Sequence, residues 1–289
     1  MRKSLQELFD NRVEQFVSNQ AKDNRNYKKA HIKIDSLLRR SAEIVKVNAS
    51  GKIIGKSVDR DFETITYQVH YRYLIKQKGT LYQEEEVEVR MAKFFKDDLI
   101  LDEEIMPIQS TPNPQEPVEE PEIEERLSYQ YNRLKAVQYA ERWWNTYNPA
   151  YKKFENDCTN YISQCLHAGE APMRGYPNRG NGWWMRNNNW SYSWAVAHSL
   201  RLYLPNSKSG LKAREVSSPD QLFLGDIICY DFEGDGRYNH NTIVTGKDAY
   251  GMPLVNAHTY NSRMRYWAYE DSSAYTPNIK YKFFTIVDG

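Results

Sequence analysis

The sequence is short of cysteine: Cys158, Cys165 and Cys229 are the only three in 289 residues. So low and odd a count excludes a disulfide framework. Cys158 and Cys165 fall on one expected helix about 10.5 Å apart along its axis, too far to bridge. Neither CxxC nor HExxH occurs, which argues against a zinc site, and no cofactor is expected. No sign of charge is in excess, 39 Lys and Arg against 38 Asp and Glu, so nothing points to nucleic acid or an acidic polymer as partner. No apolar run reaches the roughly 18–20 residues of a membrane span. The start, Met1-Arg2-Lys3-Ser4-Leu5, is basic but has no apolar core behind it, unlike a signal peptide. The expectation is a cytoplasmic protein, or one whose export signal has been removed.

What the chain has in quantity is aromatic residues, 22 of them Tyr. All seven Trp lie between Trp143 and Trp267, after a break in composition near residue 110. Residues 108–126 hold four prolines and six glutamates. Proline favours extended backbone and like charges repel, so this stretch reads as a semi-rigid, solvated linker. The expected organisation is a small α+β domain over 1–107, the linker over 108–126 and a second α+β domain over 127–289.

In the first part, Leu5, Leu8, Phe9, Val13, Phe16 and Val17 follow helical spacing. A second helical or extended piece covers 30–40. Ile65, Tyr67, Val69, Tyr71, Tyr73 and Ile75 alternate with mostly polar residues, the mark of a strand with one packed face. Lys78-Gly79 can turn the chain, and Val87, Val89 and Met91 alternate on the return strand. Shorter strands near 44–47 and 99–100 complete an antiparallel meander. The pattern has the shape of a cystatin-like or NTF2-like domain, an analogy that carries no function. His70 falls on the polar face of its strand and reads as a solvent-facing or edge residue. No partner is indicated for this domain.

The second part opens with a helix over 129–146 carrying Leu134, Val137, Ala140 and Trp144 on one face, stopped by Asn148-Pro149. A helix then begins within Asn156-Asp157-Cys158-Thr159-Asn160-Tyr161, where Asp157 and Thr159 are capping-type residues and Tyr161, Ile162, Cys165 and Leu166 keep helical spacing with Cys158. A thiol at a helix N-terminus lies at the positive end of the macrodipole. That lowers its pKa and makes a nucleophile; the alternative is a small buried hydrophobe. A Gly-, Asn-, Arg- and Trp-rich loop covers 171–192, and a helix near 193–203 follows. Strands are expected over 226–230, 241–245, 253–258 and 281–286.

A cysteine nucleophile needs a base, and the base an orienting partner. His167 is nearly opposite Cys158 on the helical wheel, and His198 sits mid-helix, so neither suits. His240 and His258 stand at the ends of adjacent strands that can bring two imidazoles together.

Asp157-Cys158-Thr159 at a helix start resembles the Asp-Cys-Ser/Thr of NlpC/P60-type papain-like peptidases. The longer run 156–164, the run Gly225-Asp226-Ile227-Ile228-Cys229-Tyr230 before a His-containing strand, Asn239-His240-Asn241-Thr242-Ile243-Val244, and Ala257-His258-Thr259 are closer still to the family called "Putative amidase domain" (amidase_6). The likeness covers about 129–288 and none of 1–110. It implies a papain-like core, a nucleophile helix packed on an antiparallel sheet, with Cys158 as nucleophile and His240 as general base. It implies His258 or Asn256 as the third member, with Asp157 a further orienting candidate. The Cys158 backbone N–H is the expected oxyanion donor. The implied reaction is hydrolysis of a cell-wall peptide or related amide through a thioester. Asn241 departs from the small residue commoner after this histidine.

Three readings of function follow: a cysteine amidase or peptidase, an acyltransferase using the same site, and a non-catalytic binding module on the same fold. Trp183 and Trp184, in the Gly/Asn-rich loop, are the candidates for a cleft wall. Asp231, Glu233 and Asp235 match the first half of a calcium loop, but Thr242 stands where the bidentate Glu belongs, and a tight acidic turn is the competing reading. A cell-wall substrate sits uneasily with a missing export signal, which an intracellular role in envelope remodelling such as sporulation would reconcile.

Overall fold

The computed structural model describes residues 2–17, 28–105, 128–259 and 261–289. The expected linker, 108–126, lies outside them. The chain divides into two compact units, Met1–Met106 with Ala268–Tyr275, and Pro107–Trp267 with Thr276–Gly289. Both mix helices with antiparallel strands, an α+β architecture.

In the first unit, α1 (Arg2–Val17) and α2 (Lys28–Arg39) precede four strands, β1 (Ala42–Asp59), β2 (Phe62–Gln77), β3 (Thr80–Phe95) and β4 (Asp98–Glu104). These pair in chain order. Period-2 alternation on β2 puts Ile65, Tyr67, Val69, Tyr71, Tyr73 and Ile75 on one buried face. Phe16 of α1 packs edge-on against Tyr73 at 5.0 Å. Lys78 and Gly79 both take positive φ at the β2–β3 turn, which suits the right-handed twist of a two-residue hairpin.

Beside the tyrosines, β3 presents carboxylates rather than apolar groups. Glu84 is opposite Tyr73 and Glu86 opposite Tyr71, and both are buried. Lys33 of α2 reaches Glu84 at 2.5 Å and Asp271 at 2.7 Å, while Lys29 reaches Glu88 at 2.5 Å. Through Asp271, a short stretch of late sequence counts with the first unit, which composition did not foretell. His70 is half-buried and meets Glu85 at 2.7 Å, so it is a hydrogen-bond partner of that carboxylate rather than a bare surface residue.

The second unit places α3 (Arg133–Trp143), α4 (Cys158–Ala168), α5 (Tyr192–Ala195) and α6 (Ala197–Asn206) with a six-stranded antiparallel sheet. A two-residue pair, β5 (Met185–Arg186) and β6 (Asn189–Trp190), lies in the loop before α5. The sheet strands are β7 (Lys212–Val216), β8 (Ile227–Asp231), β9 (His240–Lys247), β10 (Pro253–Ala257), β11 (Ser262–Tyr266) and β12 (Lys280–Val287). Their order is β11-β10-β9-β8-β12-β7.

The core joins Tyr161, Ile162, Cys165 and Leu166 of α4 to Ile227, Cys229, Ile243, Phe284 and Ile286 of the sheet. Burying such side chains contributes roughly 1.5–3 kcal/mol each. α3 starts later than expected because Asn132 caps it, accepting from the Lys135 N–H at 3.0 Å. Its buried stripe is Ala136 and Ala140, so Leu134 is left 66% exposed.

The loop over 171–192 is packed rather than open. Trp183 and Trp184 are 0% and 1% exposed, which corrects their reading as a cleft wall. The indole N–H of Trp183 donates to Ser163 Oγ at 2.9 Å, and that of Trp184 to the Asn181 carbonyl at 3.1 Å. Gly182 takes φ +64°, and a Cβ there would lie 2.1 Å from the Arg174 carbonyl oxygen. Glycine is what lets the two arms of the loop close on these indoles.

Candidate functional site

α4 begins at Cys158, with Asp157 at the N-cap. The Asp157 side chain does not cap the helix. Its Oδ1 accepts from the Phe154 N–H and from Asn160 Nδ2, both at 2.9 Å, and its Oδ2 meets His258 Nδ1 at 2.8 Å. The amides at the helix start go elsewhere. Thr259 Oγ1 accepts from the backbone N–H of Asp157 at 3.0 Å and of Cys158 at 3.1 Å. The expected oxyanion donor is therefore occupied in this arrangement. Thr259 holds φ +75°, a left-handed conformation that β-branched residues rarely adopt and that costs on the order of 1–3 kcal/mol. Its two hydrogen bonds offset that strain.

Cys158 is 5% exposed. Its sulfur lies 3.7 Å from Thr159 Oγ1 and receives the backbone N–H of Asn241. Burial raises the thiol pKa above its ordinary value; these donors oppose that shift, and the Asp157 carboxylate adds to it. The expectation of a lowered pKa is thereby corrected. A helix dipole favours the thiolate, but desolvation outweighs it where the sulfur is shut from water.

Strand alternation decides what faces α4. Asn241 pairs with Cys229, and His240 with Tyr230. The Asn241 side chain donates to Thr159 Oγ1 at 3.1 Å, and Cys229 belongs to the core that α4 completes. Successive residues of a strand point to opposite faces. The His240 ring accordingly lies with Tyr230 at 5.6 Å and Phe232 at 5.9 Å. Burial, aided by the Arg265 guanidinium, pushes its pKa down to about 3. It is a neutral imidazole at any ordinary pH.

His258 is saturated. Besides Asp157, its Nε2 meets the Trp143 carbonyl at 2.6 Å, and its ring stacks on Tyr161 at 4.0 Å. Its two nitrogens face a carboxylate and a carbonyl, so these contacts join the end of β10 to α3 and α4 rather than orient His240. Asn256 is likewise fully engaged: Nδ2 donates to Glu141 at 2.8 Å, and Oδ1 accepts from Thr245 Oγ1 at 2.7 Å and the Met264 N–H at 2.8 Å. Both candidates for the third member thus brace the sheet against α3 or α4.

The calcium-like run is a hydrogen-bonded turn. Asp231 accepts from the amides of Gly234 at 2.7 Å and Gly236 at 2.8 Å, Asp235 accepts from the Arg237 amide, and Glu233 accepts from Asn239. Among the described residues, no group of His, Cys, Asp and Glu is arranged to hold a metal ion. His198 Nδ1 accepts from the Tyr238 amide at 3.1 Å.

Thr159, Asn241 and Thr259 surround the cysteine, and sequence reasoning gave none of them a role at the sulfur. Asn241 did stand out, as the departure from a small residue after His240.

Comparison with known proteins follows this geometry. The chain is 55% identical over 261 residues, 87% of it and 84% of the relative, to Uncharacterized protein YhbB of Bacillus subtilis (strain 168). It is 29% identical over 126 residues, 40% of it and 28% of the relative, to Uncharacterized protein YjcM of the same organism. No solved structure matches. The model of the family described as "Putative amidase domain" matches residues 130–284, more than half of the chain and all of the Cys158 site, so the chain belongs to that family, whose description points to amide hydrolysis.

Proposed function

We propose that this chain is a cysteine-dependent amide hydrolase with Cys158 as nucleophile and His240 as general base. The setting of Cys158 carries the reading. It is the first residue of a buried helix, its sulfur receives the Asn241 N–H and has the Thr159 hydroxyl beside it, and the chain belongs to an amidase family. Those donors and the helix terminus all favour a thiolate once the sulfur is reached by substrate. His240 directly precedes Asn241 at the start of β9, so its imidazole, which strand alternation turns to the opposite face of the sheet, reaches the sulfur only when this strand end rearranges.

In the reaction, His240 takes the thiol proton and sulfur bonds to the amide carbon. The C–N bond then breaks, and the leaving amine takes the proton back. Water, deprotonated by the same imidazole, next releases the acid from the thioester. Turnover requires two movements. The first residues of β9 rearrange so that the His240 ring leaves Tyr230 and Phe232 for the α4 side of the sheet, and Thr259 releases the Cys158 N–H to serve the oxyanion. On this reading the fold is papain-like, α4 being the nucleophile helix on an antiparallel sheet. Residues 1–107 are an accessory domain on an acidic linker, and the substrate is a cell-wall peptide or a related amide.

The test is amine release from a panel of peptide amides by the full chain. Wild type turns over, Cys158→Ala does not, and His240→Ala loses about 10²-fold or more. Equal turnover by Cys158→Ala overturns the proposal. A second reading, a non-catalytic binding module, is favoured by the occupied Cys158 amide and the buried thiol. It predicts binding of the same peptides with no turnover by wild type.

A further inference from the structure

Segment 152–154 is fastened to the first turn of α4. The Lys152 carbonyl accepts from Asn160 Nδ2 at 2.9 Å, and the Phe154 N–H donates to Asp157 at 2.9 Å. Phe154 stands four positions before Cys158, so their Cα atoms are at most ~14 Å apart. On this segment and the neighbouring loop stands a cluster of rings and cations. Phe154 meets the half-buried Trp190 ring edge-on at 4.8 Å. Lys152 Nζ lies 4.4 Å from the centre of that ring, and the Arg179 guanidinium 4.6 Å. Lys153 Nζ lies 4.0 Å over Tyr147, whose ring is 5.0 Å from His258.

Four cations of this unit have carboxylate partners: Arg133 has Asp226, Lys135 has Glu170, Arg263 has Glu141 and Lys282 has Glu215. Among the described residues, Lys152, Lys153 and Arg179 have none, and the adjacent Glu155 pairs with none of them. Arg179 is nonetheless held in place: its Nε donates to the Trp190 carbonyl at 3.0 Å. Its two terminal nitrogens are left as a fork suited to a carboxylate.

We propose that Lys152, Arg179 and Trp190, with Lys153 beside them, form a subsite for a carboxylate-bearing part of the substrate, so that the amides brought to Cys158 belong to anionic peptides. The proposal rests on Cys158 being the nucleophile. Trp190 supplies a flat apolar wall that lowers the local dielectric, and the cations supply the attraction.

The test compares iodoacetate, which is anionic, with iodoacetamide, which is neutral. Each loses iodide as the Cys158 sulfur bonds to its carbon, and the thiol proton passes to solvent. The ratio of the two rates at Cys158 is measured by mass spectrometry in the native full chain and in the urea-unfolded chain, which cancels the reagents' intrinsic difference. The native ratio is expected to exceed the unfolded one about fivefold at low salt, and to fall toward it in 0.5 M salt. The double variant Lys152→Gln/Arg179→Gln is expected to abolish the preference and leave the iodoacetamide rate unchanged. The peptide (Glu-Ala)3 should protect Cys158 better than (Gln-Ala)3. Equal ratios in native and unfolded chain, or equal protection by the two peptides, overturn the subsite and leave the nucleophile standing. Inertness of native Cys158 to both reagents overturns the nucleophile and the subsite with it.

Discussion

His258 Nδ1 lies 2.8 Å from Asp157 Oδ2, with both side chains buried. This pair ties the end of β10 to the residue before Cys158, across 101 positions of sequence. The helix start is therefore held by tertiary contacts rather than by its own cap.

Removing one partner of that pair should be costly. His258→Ala or Asp157→Ala leaves a buried hydrogen-bonding group unmatched and is expected to destabilise the second unit by about 1–3 kcal/mol. Urea unfolding monitored by Trp fluorescence reads this, since every Trp of the chain lies in that unit. The double variant should cost much less than the sum, the sign of direct coupling.

Ser163 is a relay in the core. Its Oγ accepts from the Trp183 indole at 2.9 Å and donates to the Trp194 carbonyl at 2.9 Å. Ser163→Ala leaves a buried N–H without an acceptor and should lower stability by about 1–3 kcal/mol. Thermal unfolding checks it, and no change in melting temperature would mean that the indole finds another acceptor.

His240 should make stability depend on pH. Its folded pKa, about 3, is below its unfolded value of about 6.5. Between these values the unfolded chain binds the proton and the folded chain does not, so stability falls as pH drops from about 6.5 toward 3 and is unaffected above. Urea midpoints from pH 4 to 8 should show this slope in wild type and a shallower one in His240→Gln. In the folded protein, the His240 ring proton resonances should not move between pH 5 and 8.

The raised Cys158 pKa also has a sign. In the unliganded protein its alkylation by iodoacetamide should keep accelerating above pH 8.5 rather than level off near pH 7. A plateau at pH 7 would show that burial does not govern the thiol.

How much of this was legible in the sequence depends on the range of the interactions. The β2 alternation and the Lys78-Gly79 turn are local, and both are present in the structure. The sequence marks only a few residues of β1, near 44–47, because its outer half is exposed on both faces and so carries no alternation. α4 does start at Cys158, as local spacing indicated. What surrounds the sulfur was not legible, because Asn241 and Thr259 arrive from 83 and 101 residues away, and burial reversed the shift inferred from the helix terminus. Trp183 and Trp184 misled for a related reason: a Gly- and Asn-rich loop looks open in sequence, but Gly182 lets it close around them.

The central claim is that Cys158 attacks an amide carbonyl, and the acyl-enzyme is its most direct trace. The full chain, mixed with a panel of peptide amides and quenched in acid within seconds, is digested and read by mass spectrometry. The account predicts an acyl group on Cys158 alone, released by hydroxylamine and lacking in Cys158→Ala. Turnover of a peptide amide with no acyl group on Cys158, or undiminished in Cys158→Ala, would contradict it.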